Sequence, residues 1–299
     1  MKKNKSLFIG IILVSLIVLT AIVGPYLPFV DQQLKTEGVR KMSDGSLKVP
    51  AFAPSSVNIL GTDAEGRDIL SRIILGTKEV LISILGITLL RFLVAVPLGL
   101  MASVNKVVSR LLDLYNKIFS FVPVIFMVVL FVNLPYIMYS PHRTIIVIII
   151  IALLEVGRVG QFIQTSVITV SKKPFIEAAL STGTSYNKMF SRHYLPFLLP
   201  ELMVNIILDF GRNMFLLGQL GVINIFLAHR IEVVDPLVFE VINDSNAWPL
   251  LFKDVTFDVF SKPWIPVAAC TFITFAIIGF NQLGKGLQKY FERNSIRYF

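Results

Sequence analysis

Long apolar runs alternate with polar segments along the whole chain. The runs cover residues 7–23, 80–104, 118–137, 144–154, 198–225 and 265–283. A helix needs about 20 residues to cross the hydrocarbon core of a bilayer, and most of the runs come close to that length. The fourth run is shorter and begins a span, and its helix is expected to continue past Glu155 and Arg158 into the cytosol. The pattern therefore predicts an all-α membrane protein with six transmembrane helices.

Basic residues are concentrated at particular ends of these runs. They are Lys2, Lys3 and Lys5 before the first run, Lys106, Arg110 and Lys117 after the second, and Lys285, Lys289, Arg293 and Arg297 after the sixth. Loops on the cytoplasmic side of a membrane carry an excess of Lys and Arg. The charges therefore predict that both termini are cytosolic. The segment 226–262 is acidic on balance, which an extracellular loop permits.

The composition supports a membrane protein and argues against a soluble domain and a nucleic-acid-binding protein. Hydrophobic residues make up 55% of the chain and charged residues 16%, which is not typical of a soluble domain. The net charge of +9 would suit nucleic acid, but the basic residues lie at the ends of apolar runs, where membrane orientation explains them. Cys270 is the only cysteine, so no internal disulfide is possible, and the spacing of His142, His193 and His229 does not suit a metal site. We therefore expect no nucleic-acid partner and no metal.

The pattern divides the chain into four parts. They are a first transmembrane helix with a cytosolic amino end (1–30), an extracellular segment (31–78), a five-helix core (79–291) and a cytosolic tail (292–299). The core includes a cytosolic loop, 171–196, and an outer loop, 222–262. A signal peptide is the alternative for the first run. However, Gly24-Pro25-Tyr26 offers no small-x-small cleavage site, so we expect an uncleaved helix.

The extracellular segment contains a polar motif directly before the second run. It reads Gly61-Thr62-Asp63-Ala64-Glu65-Gly66-Arg67-Asp68-Ile69-Leu70-Ser71-Arg72. Thr62 or Asp63 can cap a helix, and the apolar residues that follow recur at helical spacing. We therefore expect an amphipathic helix that lies at the membrane surface.

A second polar stretch, residues 171–196, separates the fourth run from the fifth. Pro174 suits the first turn of a helix, and Gly183 suits the left-handed residue that ends one. Thr184 or Ser185 can then cap another short helix. The stretch therefore predicts a compact elbow of two helices. Its apolar residues are expected to be offered to a partner, and they include Phe175, Ile176, Met189 and Phe190.

The elbow also carries a family resemblance. Glu177-Ala178-Ala179, followed by Gly183, His193 and Leu195-Pro196, resembles the EAA loop of membrane subunits of ABC importers. In that family the loop lies in the cytosol and docks into a groove on the ATP-hydrolysing subunit. The resemblance therefore implies that these residues couple the chain to a separate ATPase.

Two further motifs resemble the same family in the same order. The motif at 61–72 resembles the segment before the second helix in C-type permeases of dipeptide, oligopeptide and nickel importers. Residues 262–266 and 280–287 resemble the sixth helix and tail of those permeases. The likeness covers residues 1–30, 57–221 and 247–291, and it departs in the outer loop at 222–246 and at Arg91, Asp209 and Arg212.

The resemblance implies the architecture of a type I ABC importer permease in the bacterial inner membrane. Such permeases pair with a second homologous permease, with two ATPase subunits and with an extracellular substrate-binding protein. ATP and Mg are then expected on the ATPase partners, with no cofactor on this chain, which is expected not to be an enzyme. The solute, a peptide or a related cargo such as a nickel chelate, is not named by the sequence.

Each elbow residue has a plain structural role beside its implied one. Glu177 would contact the ATPase or fix the elbow against it. A carboxylate at the amino end of a helix is also favoured by the helix dipole, by about 0.3–1 kcal/mol. Gly183 would set the angle between the two helices. Ala178 and Ala179 are small enough for a partner to approach closely, although alanine also simply favours helix formation.

Three charged residues interrupt the apolar runs, namely Arg91, Asp209 and Arg212. A charge at the centre of a membrane helix costs about 2.5–3.5 kcal/mol on insertion scales, so these groups should face protein or water. They would either line the translocation path, or form a structural pair of Asp209 with Arg91 or Arg212. A protein of another class, a self-powered secondary transporter or channel, would use the same residues as an ion site.

Overall fold

Helices dominate the computed structural model, which describes residues 4–41, 47–183, 185–228, 230–235, 238–242 and 245–295. The helices are α1 (Lys5–Val23), α2 (Ile69–Val104), α3 (Lys106–Ser120), α4 (Val124–Val132), α5 (Pro135–Met138), α6 (Arg143–Leu154), α7 (Val156–Ser171), α8 (Pro174–Ser181), α9 (Tyr186–Met189), α10 (Leu195–Val222), α11 (Val255–Ser261) and α12 (Trp264–Ser295). The strands are β1 (Arg40–Lys41) with β2 (Leu47–Lys48), and β3 (Arg230–Asp235) with β4 (Val238–Ile242), each pair antiparallel. Outside the described residues lie Lys2, Lys3, His229 and Arg297, all named above.

The longest of these elements are helices that could cross a membrane. Within the described residues, α1, α2, α10 and α12 are each long and apolar enough to span a bilayer. Two bent pairs meet the same criterion together, α3 with α4 at a bend of 85° and α6 with α7 at 41°. The predicted all-α membrane protein is therefore confirmed, with up to six spans when each bent pair is one span.

The third apolar run differs most from its prediction. Residues 106–120 form a helix rather than a basic loop, and the chain breaks at 121–123 before α4. Pro123 directly precedes α4, and Pro135 opens α5 after a second break. Proline ends or kinks a helix because it lacks the N–H and its ring clashes with the preceding turn. The third span therefore does not cover 118–137 as the run predicts: it begins at Lys106, and the chain breaks beside both prolines.

Helices α1 and α12 lie in close contact at one side of the bundle. A Cβ added at Gly10 would lie 2.2 Å from the backbone nitrogen of Leu283, and one at Gly286 would lie 2.4 Å from the Cα of Leu7. Asn4 Nδ2 donates to the carbonyl oxygen of Gly286 at 2.7 Å. The start of α1 and the later part of α12 therefore share one end of the bundle, the terminal face.

Helix α10 runs antiparallel to α12. A Cβ added at Gly284 would lie 2.6 Å from Leu208 Cδ2, and one at Gly218 would lie 3.4 Å from Ile273 Cγ2. The start of α10 is therefore beside the end of α12. The elbow of α8 and α9 leads into α10 through the π-helical turn Phe190–Tyr194, so it also lies at the terminal face.

The motif at 61–72 organises the opposite end of the bundle, the loop face. Asp63 forms ion pairs with Arg67, at 2.9 Å, and with Arg72. The carbonyl oxygen of Thr62 accepts a hydrogen bond from Trp264 Nε1 at 3.2 Å. Because Arg72 belongs to α2 and Trp264 opens α12, the motif ties the preceding segment to both helices.

The prediction of an amphipathic helix at the membrane surface after this motif is wrong. Helix α2 begins at Ile69 and continues through the whole second span. Asp68 caps it, in place of the two residues expected, and accepts from the backbone N–H of Ser71 at 2.8 Å and from its hydroxyl at 2.7 Å. Ile69, Ile73 and Ile74 are buried, because other parts of the loop face cover these first turns.

The outer loop packs on the same turns. After the β3–β4 hairpin, the 3₁₀ turn Trp248–Phe252 is buried. Trp248 Nε1 donates to the carbonyl oxygen of Ile73 at 2.8 Å. A Cβ added at Gly76 would lie 1.9 Å from the carbonyl oxygen of Asn246, so only glycine allows this approach. The later part of the outer loop is therefore integral to the fold.

Candidate functional site

The elbow, residues 171–196, has the two short helices that the sequence predicts. Helix α8 begins at Pro174. Gly183 follows it with φ of +70°, in the left-handed region that favours glycine. Ser185 directly precedes α9, while Thr184, the other candidate cap, lies outside the described residues.

Apolar side chains fill the inside of the elbow. The buried members are Val170, Ile176, Ala179 and Met189. The rings of Phe175 and Phe197 stack with 4.8 Å between their centres, and Lys173 Nζ lies 4.6 Å from the centre of the Phe197 ring. Because Phe197 belongs to α10, these contacts fix the elbow to that helix. The expectation that Ile176 and Met189 are offered to a partner is therefore wrong, since the hydrophobic effect buries them within their own chain.

The outside of the elbow is small and polar. Its exposed residues include Glu177, Ala178, Ser181, Thr182 and Gly183. The Glu177 carboxylate lies in the first turn of α8 and forms no hydrogen bond or ion pair with the described part of the chain. A Cβ added at Gly183 would meet nothing within 4 Å. Ala178 and Ala179 therefore differ: the first leaves room for a partner, and the second packs inward at 7% exposure.

The remaining motif residues join the elbow to α10. His193 is half-buried, and its ring centre lies 6.3 Å from that of Phe175. Leu195 and Pro196 open α10, where the first N–H groups have no partner within the helix and proline is tolerated. The structure thus brings the predicted elbow residues together in one unit at the terminal face.

A second cluster, the charge quartet, consists of Arg91, Glu155, Arg158 and Asp209. Arg91 of α2 and Asp209 of α10 are both 0% exposed, and their Nη1 and Oδ2 atoms are 2.5 Å apart. Glu155 lies 3.0 Å from Arg91 and 3.2 Å from Arg158. Arg158 in turn lies 2.9 Å from Asp209. Two cations and two anions therefore balance one another across α2, the α6–α7 break and α10.

The quartet lies at the bend between α6 and α7. The last carbonyl groups of a helix have no partner within it. Arg91 Nη2 donates to Ile151 at 3.0 Å and its Nε to Ala152 at 3.4 Å, while the Tyr115 hydroxyl donates to Leu153 at 2.8 Å. Arg91 therefore has two functions, because it neutralises carboxylates and satisfies the backbone that the bend leaves open.

Arg212, the third charged residue predicted here, lies within electrostatic range of the quartet but makes no direct contact with it. It is exposed on α10 and forms no hydrogen bond or ion pair with any described residue. Of the two pairings considered for Asp209, the structure therefore places Arg91 in contact and leaves Arg212 outside it. Sequence reasoning missed Glu155 and Arg158, because both were assigned to a cytosolic extension. Their opposite charges three residues apart were the available signal.

Comparison with known proteins now places the chain in a family. Residues 95–297, more than half of the chain, match the family described as binding-protein-dependent transport system inner membrane component. The chain belongs to this family. The match confirms the resemblance to ABC importer permeases, which are transport proteins rather than enzymes. It does not favour a self-powered transporter or channel.

Individual relatives extend the similarity to the amino-terminal part. The chain is 25% identical to the dipeptide transport system permease protein DppC of Alkalihalophilus pseudofirmus over 294 residues, which cover 96% of this chain and 86% of the relative. It is 22% identical to the oligopeptide transport system permease protein OppC of Haemophilus influenzae over 297 residues, covering 96% and 84%. It is 23% identical to the glutathione transport system permease protein GsiD of Pectobacterium atrosepticum over 240 residues, covering 79% and 72%.

Proposed function

We propose that this chain is the permease subunit of an ATP-driven importer of peptides. It forms half of the translocation path, and a second, homologous permease forms the other half. Two ATPase subunits, which bind ATP and Mg, dock at the elbows of the two permeases. A substrate-binding protein delivers the solute at the loop face. No cofactor belongs to this chain itself.

The elbow is the observation that carries this proposal. Glu177 and Ala178 are exposed on a short helix whose inner side is fixed to the bundle. A partner that binds here contacts a small polar surface and meets little steric resistance at Gly183. Since the π-helical turn leads directly into α10, a force on the elbow acts on a membrane-spanning helix.

The charge quartet supports transmission of that force. It joins α10 to α2 and to the α6–α7 bend through buried ion pairs. A displacement of α10 is therefore shared with its neighbours rather than absorbed locally. Coupling between distant sites is typically worth about 1–3 kcal/mol, and rigid-body rotation of domains is one established way to carry it.

Charge supports a cytosolic position for the terminal face and for both termini. The basic residues in or beside this face are Lys5, Lys106, Arg110, Lys117, Lys172, Lys173, Lys188, Arg192, Lys285, Lys289 and Arg293, and the acids among them are Asp113, Glu177, Glu201 and Glu292. Such an excess of Lys and Arg is typical of the cytoplasmic side. We therefore place the protein in the bacterial inner membrane with its loop face outside.

The relatives support a peptide as solute. Their names specify dipeptide, oligopeptide and glutathione transport. These solutes share amide groups and free carboxylates. A nickel chelate, the other cargo considered, is an outcome that the transport assay below distinguishes.

The first test changes the exposed alanine of the elbow. We expect Ala178→Glu to reduce ATP-dependent peptide uptake at least tenfold, because the longer charged side chain keeps the ATPase from docking. The importer is isolated through a tag on this chain and reconstituted in liposomes, and uptake and bound ATPase are both measured. The matched control is Ala53→Glu, another exposed alanine, at the loop face. Normal ATPase binding and uptake in the Ala178 variant would contradict the proposal, and uptake of nickel chelate alone would correct the solute.

The second test determines which face is cytosolic. In a Cys270→Ser background, single cysteines at Gly183 and Phe260 are treated with a membrane-impermeant maleimide. Phe260 is 90% exposed on α11 at the loop face. We expect only Phe260→Cys to react in intact cells and Gly183→Cys to react after the membrane is opened. The reverse result would place the elbow outside and rule out coupling to a cytosolic ATPase.

A further inference from the structure

Helix α10 carries a polar stripe, composed of Glu201, Asn205, Arg212 and Gln219. At about 100° per residue, these positions fall within about 40° of one another around the helix axis. Glu201 and Arg212 are exposed, and Asn205 and Gln219 are half-buried. The α12-facing side of α10, marked by Gly211 and Gly218, lies to one side of the stripe. Leu208, which also contacts α12, borders the stripe, so the stripe lies directly beside that contact without being part of it.

Arg212 gives this stripe a positive charge that has no direct ion-pair partner among the described residues. The charge quartet on the neighbouring face contains two cations and two anions, so it has no surplus negative charge for Arg212. Arg212 itself has no ion pair or hydrogen bond with the described residues. Its guanidinium is therefore available to a group that this chain does not supply.

The depth of Arg212 restricts what can cover it. Arg212 lies ten residues before the end of α10 at Val222, or about 15 Å at 1.5 Å per residue, which is half of a bilayer about 30 Å thick. A charged side chain at that depth is unfavourable against lipid, so it faces water or protein. The two amide side chains on the same stripe are likewise unsuited to lipid.

We propose that the polar stripe of α10 lines the translocation path and that Arg212 binds the carboxylate of the passing peptide. This inference rests on the proposed function. Every linear peptide with a free carboxyl end carries one terminal carboxylate, whatever its side chains. A guanidinium binds a carboxylate through two parallel hydrogen bonds. Asn205 and Gln219 add amide groups that pair with peptide backbone and do not depend on side-chain identity. The stripe thus suits peptides of varied sequence.

The first test compares two peptides that differ only at one end. The reconstituted importer, with ATP and Mg inside the liposomes as its ATPase requires, is given a peptide with a free carboxyl end and the same peptide with an amide end. We expect Arg212→Gln to lower the ratio of kcat/KM for the free peptide over the amide at least tenfold. Uptake of the amide should stay within twofold, and Arg212→Lys should restore part of the ratio.

Three results would overturn the assignment of Arg212. An unchanged ratio would show that the residue does not bind the carboxylate. An equal loss for both peptides would indicate a general role in folding or gating. Loss of the second permease from the purified complex would show that Arg212 contacts that subunit instead. If the unaltered importer takes up neither peptide, the proposed function fails, and the inference fails with it.

The second test asks whether the stripe is in contact with water, independently of peptide choice. In the Cys270→Ser background, Asn205→Cys and Gln219→Cys are treated with a negatively charged methanethiosulfonate in the assembled importer. The control is Leu93→Cys, which is 72% exposed on the apolar face of α2. We expect the two stripe positions to react with the reagent and peptide to protect them from it. The control position should remain unreactive. Equal reactivity at all three positions, or none at the stripe, would refute the path assignment.

Discussion

Replacing Asp209 by Asn tests whether the charge quartet holds the spans together. Asp209 is 0% exposed and contacts Arg91 and Arg158 directly. It also accepts hydrogen bonds from Thr88 at 3.3 Å and from Asn213 at 3.2 Å. Asn has nearly the same volume, so the change removes a charge without opening a cavity. The quartet is then left with two cations and one anion.

The expected loss follows from the burial of the partners. Removing one member of a buried ion pair costs roughly 3–5 kcal/mol, because the other charge is left uncompensated. The Arg158 side chain is 35% exposed, so water partly compensates its charge when the Asp209 carboxylate is removed. The Arg91 side chain is 0% exposed, so water does not compensate its charge. Glu155 still neutralises one of the two cations. We therefore expect Asp209→Asn to lower the free energy of unfolding by about 3 kcal/mol, at the lower end of that range.

A double-mutant cycle measures this loss against that of the partner. Arg91→Met, Asp209→Asn and the double variant are unfolded by denaturant titration in detergent. We expect the double variant to lose about 2 kcal/mol less than the sum of the single losses, because Glu155 and Arg158 then remain as a balanced pair. The control is Arg212→Gln, which should change stability by less than about 0.5 kcal/mol because its side chain is exposed and unpaired. Additive losses, or an Asp209 variant as stable as the control, would show that the charge quartet does not hold the spans together.

Two further changes test the packing of α1 and the start of α2. Gly10→Val should detach α1 from α12, because its Cβ would lie 2.2 Å from the backbone nitrogen of Leu283. The detachment is measured as increased protease sensitivity of α1. The control is Gly38→Val, where an added Cβ meets nothing within 4 Å, and it should behave as wild type. Asp68→Ala should reduce unfolding free energy by about 1–2 kcal/mol through loss of the cap, and Asp68→Asn should recover most of it in the same titration. A Gly10 variant that resists protease, or an alanine variant as stable as the asparagine one, would contradict these contacts.

The apolar runs and the polar motifs were sufficient to predict much of this fold. Run length predicts a membrane helix because the bilayer sets one thickness for every span. Pro174 and Gly183 predict the ends of α8 because each has a backbone geometry that few other residues tolerate. These are local constraints, and a sequence displays them directly.

Features that depend on distant contacts could not be predicted in the same way. Ala178 and Ala179 are identical residues in adjacent positions, and only the placement of the elbow against α10 decides which one is exposed. Arg91 and Asp209 meet across 118 positions of sequence, so nothing local distinguishes that pair from Arg212 and Asp209. Asp68 caps α2 in place of the predicted Thr62 or Asp63, because packing at the loop face fixes where this helix begins.

The contact between α1 and α12 constrains the order in which the chain is completed. Asn4 and Gly286 are separated by 282 positions, so α1 can make this contact with α12 only after the chain has been synthesised through residue 286. At about 5–20 residues per second, that interval is roughly 15–60 s of translation. Until then the side of α1 that carries Gly10 remains exposed to lipid or to proteases. A chain whose synthesis stops before residue 286 therefore lacks this contact between α1 and α12.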